Sequence, residues 1–138
     1  MHLPARTIAA ALLMTTAALA FAAFDVRMVG IVFDSGSDSA EVTDAITGDE
    51  AVMYRFRPKM GQRIEVSLES DSDDAEFTVY APGKWPGEVL HDSATDGSRE
   101  FEGRIDRDGF HAVTVYQNQE AVSAGRTARY ELEISLTD

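Results

Sequence analysis

Arg63-Ile64-Glu65-Val66-Ser67-Leu68-Glu69 alternates polar and apolar residues without a break, and Tyr130-Glu131-Leu132-Glu133-Ile134-Ser135-Leu136 repeats the pattern near the C-terminus. Successive side chains of an extended strand point to opposite faces. Ile64, Val66 and Leu68 therefore share one face, and their polar neighbours share the other. The same period of two recurs at residues 53–57, where Tyr54 and Phe56 fall on one side, and at residues 76–80, 100–105 and 111–115. Residues 28–33 and 41–46 add two weaker strands. Thr47-Gly48-Asp49, Lys59-Met60-Gly61, residues 70–74, Ala81-Pro82-Gly83, Asp96-Gly97 and Asp108-Gly109 separate the runs with turn chemistry. About eight short strands, each with one wet face, predict an all-β fold: a small antiparallel β-sandwich of jelly-roll or similar topology. Residues 118–125 alone are compatible with a helical turn.

The 138 residues carry 12 Lys+Arg against 24 Asp+Glu, a net charge of −12, with 44% hydrophobic residues. That apolar share supports a packed core and excludes a disordered acidic tail. The acidic balance argues against nucleic acid and against anionic lipid, both of which need a basic footprint. With no Cys in the chain, disulfides, thiolate metal sites, Cys nucleophiles and lipidated-Cys anchors are all excluded. A small acidic binding module or a small carboxylate enzyme remains.

The N-terminus reads as an address. Arg6 precedes an uncharged apolar run that lasts until Asp25, and Ala18-Leu19-Ala20 and Ala20-Phe21-Ala22 are small-x-small cleavage signals. This is the pattern of a secretory signal peptide over residues 1–22, leaving one domain over 23–138. Cleavage removes Arg6 and none of the acids, so the exported chain is more acidic still. A periplasmic or secreted protein with no membrane attachment after cleavage is expected.

The candidates for chemistry are weak. His91-Asp92-Ser93 holds the three letters of a nucleophilic relay, but strand neighbours point apart. His111 is in phase with Val113 and Val115, as a core histidine would be. Asp34-Ser35-Gly36-Ser37-Asp38 and Asp71-Ser72-Asp73-Asp74 are oxygen-rich, as calcium sites are, but neither matches the ~12-residue helix-loop-helix calcium loop. No P-loop, dinucleotide fingerprint or nucleophile elbow is present. A non-enzymatic protein with no cofactor and no metal follows.

Two loops read as recognition elements. Trp85, the only Trp, lies in Pro82-Gly83-Lys84-Trp85-Pro86-Gly87, and a rigid aromatic at a loop tip makes a good anchor. The connection from Tyr116 to Arg129 is long for a hairpin, and long loops are often functional. Arg126 and Arg129 stand out there in an acidic chain. The bland alternative is a solvated loop whose cations pair with Glu120 or Glu131, and a Trp85 folded back on the core.

The order of these motifs resembles the periplasmic inhibitors of goose-type lysozyme and the related bacterial pre-peptidase C-terminal-like (PPC) domains. The resemblance is carried by a Tyr-containing strand, then Gly61-Gln62 opening the strand to Leu68, then Phe77-Thr78-Val79-Tyr80-Ala81-Pro82-Gly83. Phe101 and Gly103 follow, then Asp108-Gly109, Val113-Thr114-Val115-Tyr116, a long loop with Gly125, and Ala128-Arg129-Tyr130-Glu131-Leu132. It implies a periplasmic β-sandwich without cofactor. It further implies inhibition by steric occlusion of a lysozyme cleft, with a basic lysozyme as protein partner. The family's long loop carries two arginines four apart; aligned on Val115-Tyr116 and Gly125, those positions are Gln119 and Ser123 here. His111 also replaces a usual Tyr. The expected contact residues are Tyr54, Trp85, Tyr116, Gln119, Ser123, Arg126 and Arg129. The alternative is a structural PPC-like module, calcium-stabilised and without inhibitory activity.

Overall fold

The computed structural model describes residues 25–33 and 38–138. The expected signal segment and residues 34–37 of the Asp34–Asp38 candidate calcium loop lie outside them. Among the described residues, nine strands and two short helices follow one another: β1 (Asp25–Gly30), β2 (Ser39–Thr47), β3 (Glu50–Phe56), β4 (Arg63–Ser70), β5 (Ala75–Ala81), β6 (Glu88–Asp92), α1 (Ser93–Asp96), β7 (Glu100–Arg104), β8 (His111–Gln117), α2 (Gln119–Ala124) and β9 (Thr127–Thr137). They form a five-stranded sheet in the order β1-β3-β8-β5-β6 and a four-stranded sheet in the order β2-β9-β4-β7.

The alternation read from the sequence sets the packing. Ile64 pairs with Leu136, Val66 with Ile134 and Leu68 with Leu132, so the apolar sets of β4 and β9 share one face. All six are buried. Opposite them, Val52, Tyr54 and Phe56 of β3, Phe77 and Val79 of β5, and Val113 and Val115 of β8 close the core. Burial of this apolar face is the main force holding the sheets together. At the sheet edges, Arg27 of β1 pairs with Asp44 of β2 at 2.6 Å.

The structure departs from the sequence reading in two respects. It has nine strands rather than eight, because β6 carries no clean alternation: Glu88, Val89 and Leu90 are all exposed, and its pairing with β5 shifts register between Val79 and Tyr80. Pairing is also not wholly antiparallel, since β1 runs parallel to β3. Side-chain period reports which face is wet, not the direction of the neighbour.

Candidate functional site

One end of the sandwich carries the β8–β9 connection. Asn118 caps α2, its side chain accepting from the Ala121 N–H, and Gly125 ends the helix at φ 64°. A left-handed residue closing a helix is most easily Gly. Ala121 is fully buried and anchors the helix, while Gln119, Glu120 and Ser123 are exposed. Gln119 Nε2 donates to Ser123 Oγ at 3.3 Å, so these two positions sit side by side.

Asp74, in the β4–β5 turn, clamps this rim. Its carboxylate accepts from Asn118 Nδ2 at 2.9 Å and Arg126 Nη1 at 3.0 Å, and its carbonyl accepts from the Asn118 N–H at 2.9 Å. Asn118, and then Arg126, hold the Asp74 carboxyl below its ordinary range. Gln117 is buried under the rim and donates to the Arg126 carbonyl at 2.8 Å. Its Oε1 has no hydrogen-bond partner among the described residues.

The two arginines differ. Arg126 is held by Asp74 and lies 3.7 Å from Glu120, as the solvated-loop reading expected for Glu120. Arg129 lies on β9; its backbone N–H donates to Asp71 Oδ1 at 3.0 Å. Its exposed guanidinium has no ion-pair partner among the described residues. Tyr116 is half-buried on β8, with its hydroxyl donating to Asp92 Oδ1 at 2.7 Å.

Two expected contact residues do not join this rim. Tyr54 is 1% exposed, so it is core and no partner can reach it. Trp85 is 69% exposed, but at the opposite end: β5 runs from Ala75, paired with Gln117, to Tyr80, paired with Ala112, and the Trp85 loop follows. Sequence reasoning missed Asp74 and Asn118 as rim residues. Asn118 just before a short helical turn was an available cap signal.

The other candidates are occupied by structural bonds. His91 is buried, with its ring bonded to the Ser98 carbonyl at 2.8 Å. Asp92 caps α1, and Ser93 Oγ bonds Glu76 and the Phe77 N–H. These three do not form a relay. His111 is buried at 2% exposure with Nδ1 bonded to the Gly109 carbonyl, and burial lowers its pKa. Asp71 and Asp74 spend their carboxylates on the β8–β9 connection and β9. Among the described residues, no group of three or more His, Asp or Glu is placed to hold a metal ion.

Two facing sheets with a braced rim at one end define a small β-sandwich. The chain is similar to PliG of Aeromonas hydrophila, a periplasmic inhibitor of g-type lysozyme, with 27% identity and a TM-score of 0.74, covering 82% of this chain and 98% of that one. PliG of Salmonella Typhimurium matches at 23% identity and a TM-score of 0.62, over 80% of this chain and 98% of its own. The pre-peptidase C-terminal domain of Bacillus anthracis collagenase shares the fold at 13% identity and a TM-score of 0.54, over 81% of this chain and 96% of its own. No protein-family model and no curated protein sequence matches the chain.

Proposed function

We propose that this chain is an exported, non-enzymatic inhibitor of a g-type lysozyme. It acts in the periplasm after loss of residues 1–22, laying the α2 rim and the adjoining start of β9 across the enzyme's cleft. The observation that supports this reading most is the similarity to Aeromonas PliG, which spans 98% of that inhibitor. The rim suits occlusion because Asp74, Asn118 and Gln117 fix it before binding, so little conformational entropy is lost on docking. Gln119 and Ser123 offer neutral hydrogen bonds where the family offers charge. Arg129 is left to meet a cleft carboxylate, for which a guanidinium is a good partner. The acidic remainder steers the chain toward a basic enzyme.

Complex formation tests the reading. The exported protein mixed with a g-type lysozyme is expected to co-elute with it from a sizing column at low salt. Separate elution at every salt concentration would contradict the proposal.

A further inference from the structure

Trp85 stands outside that function and belongs to a second surface. The end of the sandwich opposite α2 includes three loops, residues 57–62, 82–87 and 105–110. Gly61 donates to the Ile105 carbonyl and Ile105 to the Gln62 carbonyl, both at 2.8 Å, and Arg104 donates to the Gly61 carbonyl at 2.9 Å. Gly109 lies against Pro82, whose carbonyl accepts from Arg107, itself paired with Glu88. The three loops therefore form one continuous surface. It exposes Met60 (62%), Trp85 (69%) and Phe110 (51%).

The charge of this end is also unlike the rest of the chain. Arg55, Arg57, Lys59, Lys84, Arg104 and Arg107 stand there with Glu88, Asp106, Asp108 and Asp138, the last accepting from Gln62 at 3.2 Å. Arg107 is taken by Glu88 and Asp106, and Arg57 reaches Asp108 at 3.6 Å. Arg55, Lys59 and Lys84 have no carboxylate partner among the described residues. The guanidiniums of Arg55 and Arg57 lie 4.6 and 5.6 Å from the centre of the Phe110 ring. A stacked guanidinium keeps its N–H edge free for a carboxylate. The Trp85 loop is fixed in place: Gly87 donates to the Lys84 carbonyl at 2.8 Å. At φ 137°, a side chain on Gly87 would meet the Ala81 carbonyl oxygen at 2.6 Å.

We infer that this loop end binds a carboxylate-bearing glycan, with the Trp85 ring against the C–H face of a sugar and Arg55 and Lys84 on the carboxylate. Sugar C–H groups are weakly positive and the indole face is negative, so they attract. A lipid bilayer fits less well. Phe110 carries two guanidiniums against its ring, which would have to enter the bilayer with it, and a bilayer would face the field of the whole −12 molecule. A flexible polymer touches only the loop end. The choice of a cell-wall glycan as probe rests on the inhibitor reading; the surface itself does not.

Sedimentation of the exported protein with insoluble peptidoglycan tests the inference, in parallel with anionic phospholipid vesicles. The wild type is expected to sediment with peptidoglycan and not with vesicles, with binding weakened by salt. Trp85→Ala and Arg55→Ala are expected to reduce binding at least about tenfold. Because Trp85 is the only Trp, its fluorescence is expected to shift on titration with soluble peptidoglycan fragments. No sedimentation of the wild type, undiminished sedimentation of Trp85→Ala, or preference for vesicles would each overturn the inference. Inhibition of lysozyme by Trp85→Ala, followed alongside, is expected to be unchanged. Glycan binding without inhibition by the wild type would fail the inhibitor reading alone.

Discussion

The hydroxyls of Tyr54 and Tyr130 meet at 2.6 Å inside the sandwich, joining β3 of one sheet to β9 of the other. Burial raises the pKa of both, so both stay protonated through the neutral range. Each satisfies the other where no water reaches. Tyr54→Phe leaves the Tyr130 hydroxyl without that partner, and the expected loss is about 1–3 kcal/mol of unfolding free energy. Urea denaturation checks it. Inhibition per folded molecule is expected to stay unchanged, because Tyr54 is core; a variant that folds well but fails to inhibit would return Tyr54 to the contact surface.

Asp74 and Arg129 are expected to act differently at the rim. Asp74→Ala removes the brace on Asn118 and Arg126, so amide exchange in α2 is expected to quicken and affinity to fall several-fold. Arg129→Ala is expected to weaken the complex about tenfold and to reduce its salt sensitivity, with α2 exchange unchanged. The Asp74 carboxyl sits below its usual 3.8, so its contribution is present above that value and is lost only as pH falls through the lower folded-state value. The brace is therefore expected to survive mild acid.

His111 gives a sensitivity of the same sign in a higher range. Burial holds its pKa below the ordinary 6.5, so the unfolded chain binds the proton first. Stability is fully present above 6.5 and is lost as pH falls through the folded-state value. Thermal unfolding followed from pH ~8 down to ~5 is expected to show a falling melting temperature, with a flatter profile for His111→Gln. An unchanged profile would contradict a neutral, buried His111.

The outer face of the four-stranded sheet is crowded with acids. Glu131 lies opposite Glu69, and Glu133 opposite Glu41. The neighbouring Glu41 carboxylate, above all, raises the pKa of both Glu131 and Glu133. Directly opposed like charges destabilise a sheet. The folded chain therefore binds protons more readily at these sites, and their repulsion is relieved as pH falls through the raised values. Glu131→Gln is expected to raise the melting temperature at neutral pH, with a gain that shrinks at high salt and vanishes in acid. Equal gains at low and high salt would point to another cause.

The core was legible in the sequence wherever alternation was clean. Ile64, Val66 and Leu68 pair with Leu136, Ile134 and Leu132 as their period implies. What was not legible depends on partners distant in sequence. Tyr54 and Phe56 were read correctly as sharing one face, but the hydroxyl that satisfies Tyr54 lies 76 residues away. Without that partner in view, an aromatic with a polar tip reads as a contact residue. Arg126 finds Asp74 across 52 residues, whereas the sequence pointed only to near neighbours. The sequence does not say whether Trp85 and the rim share an end of the sandwich. Strand direction separates them, because β5 and β8 run antiparallel and place their following loops at opposite ends.

Titration of cell-wall lysis by a g-type lysozyme tests the central claim most directly. The exported protein, added at low and at moderate salt, is expected to abolish lysis near one equivalent, with Arg129→Ala requiring clearly more. Full lysis at large excess of a folded protein would contradict inhibition, whatever the similarity of the fold.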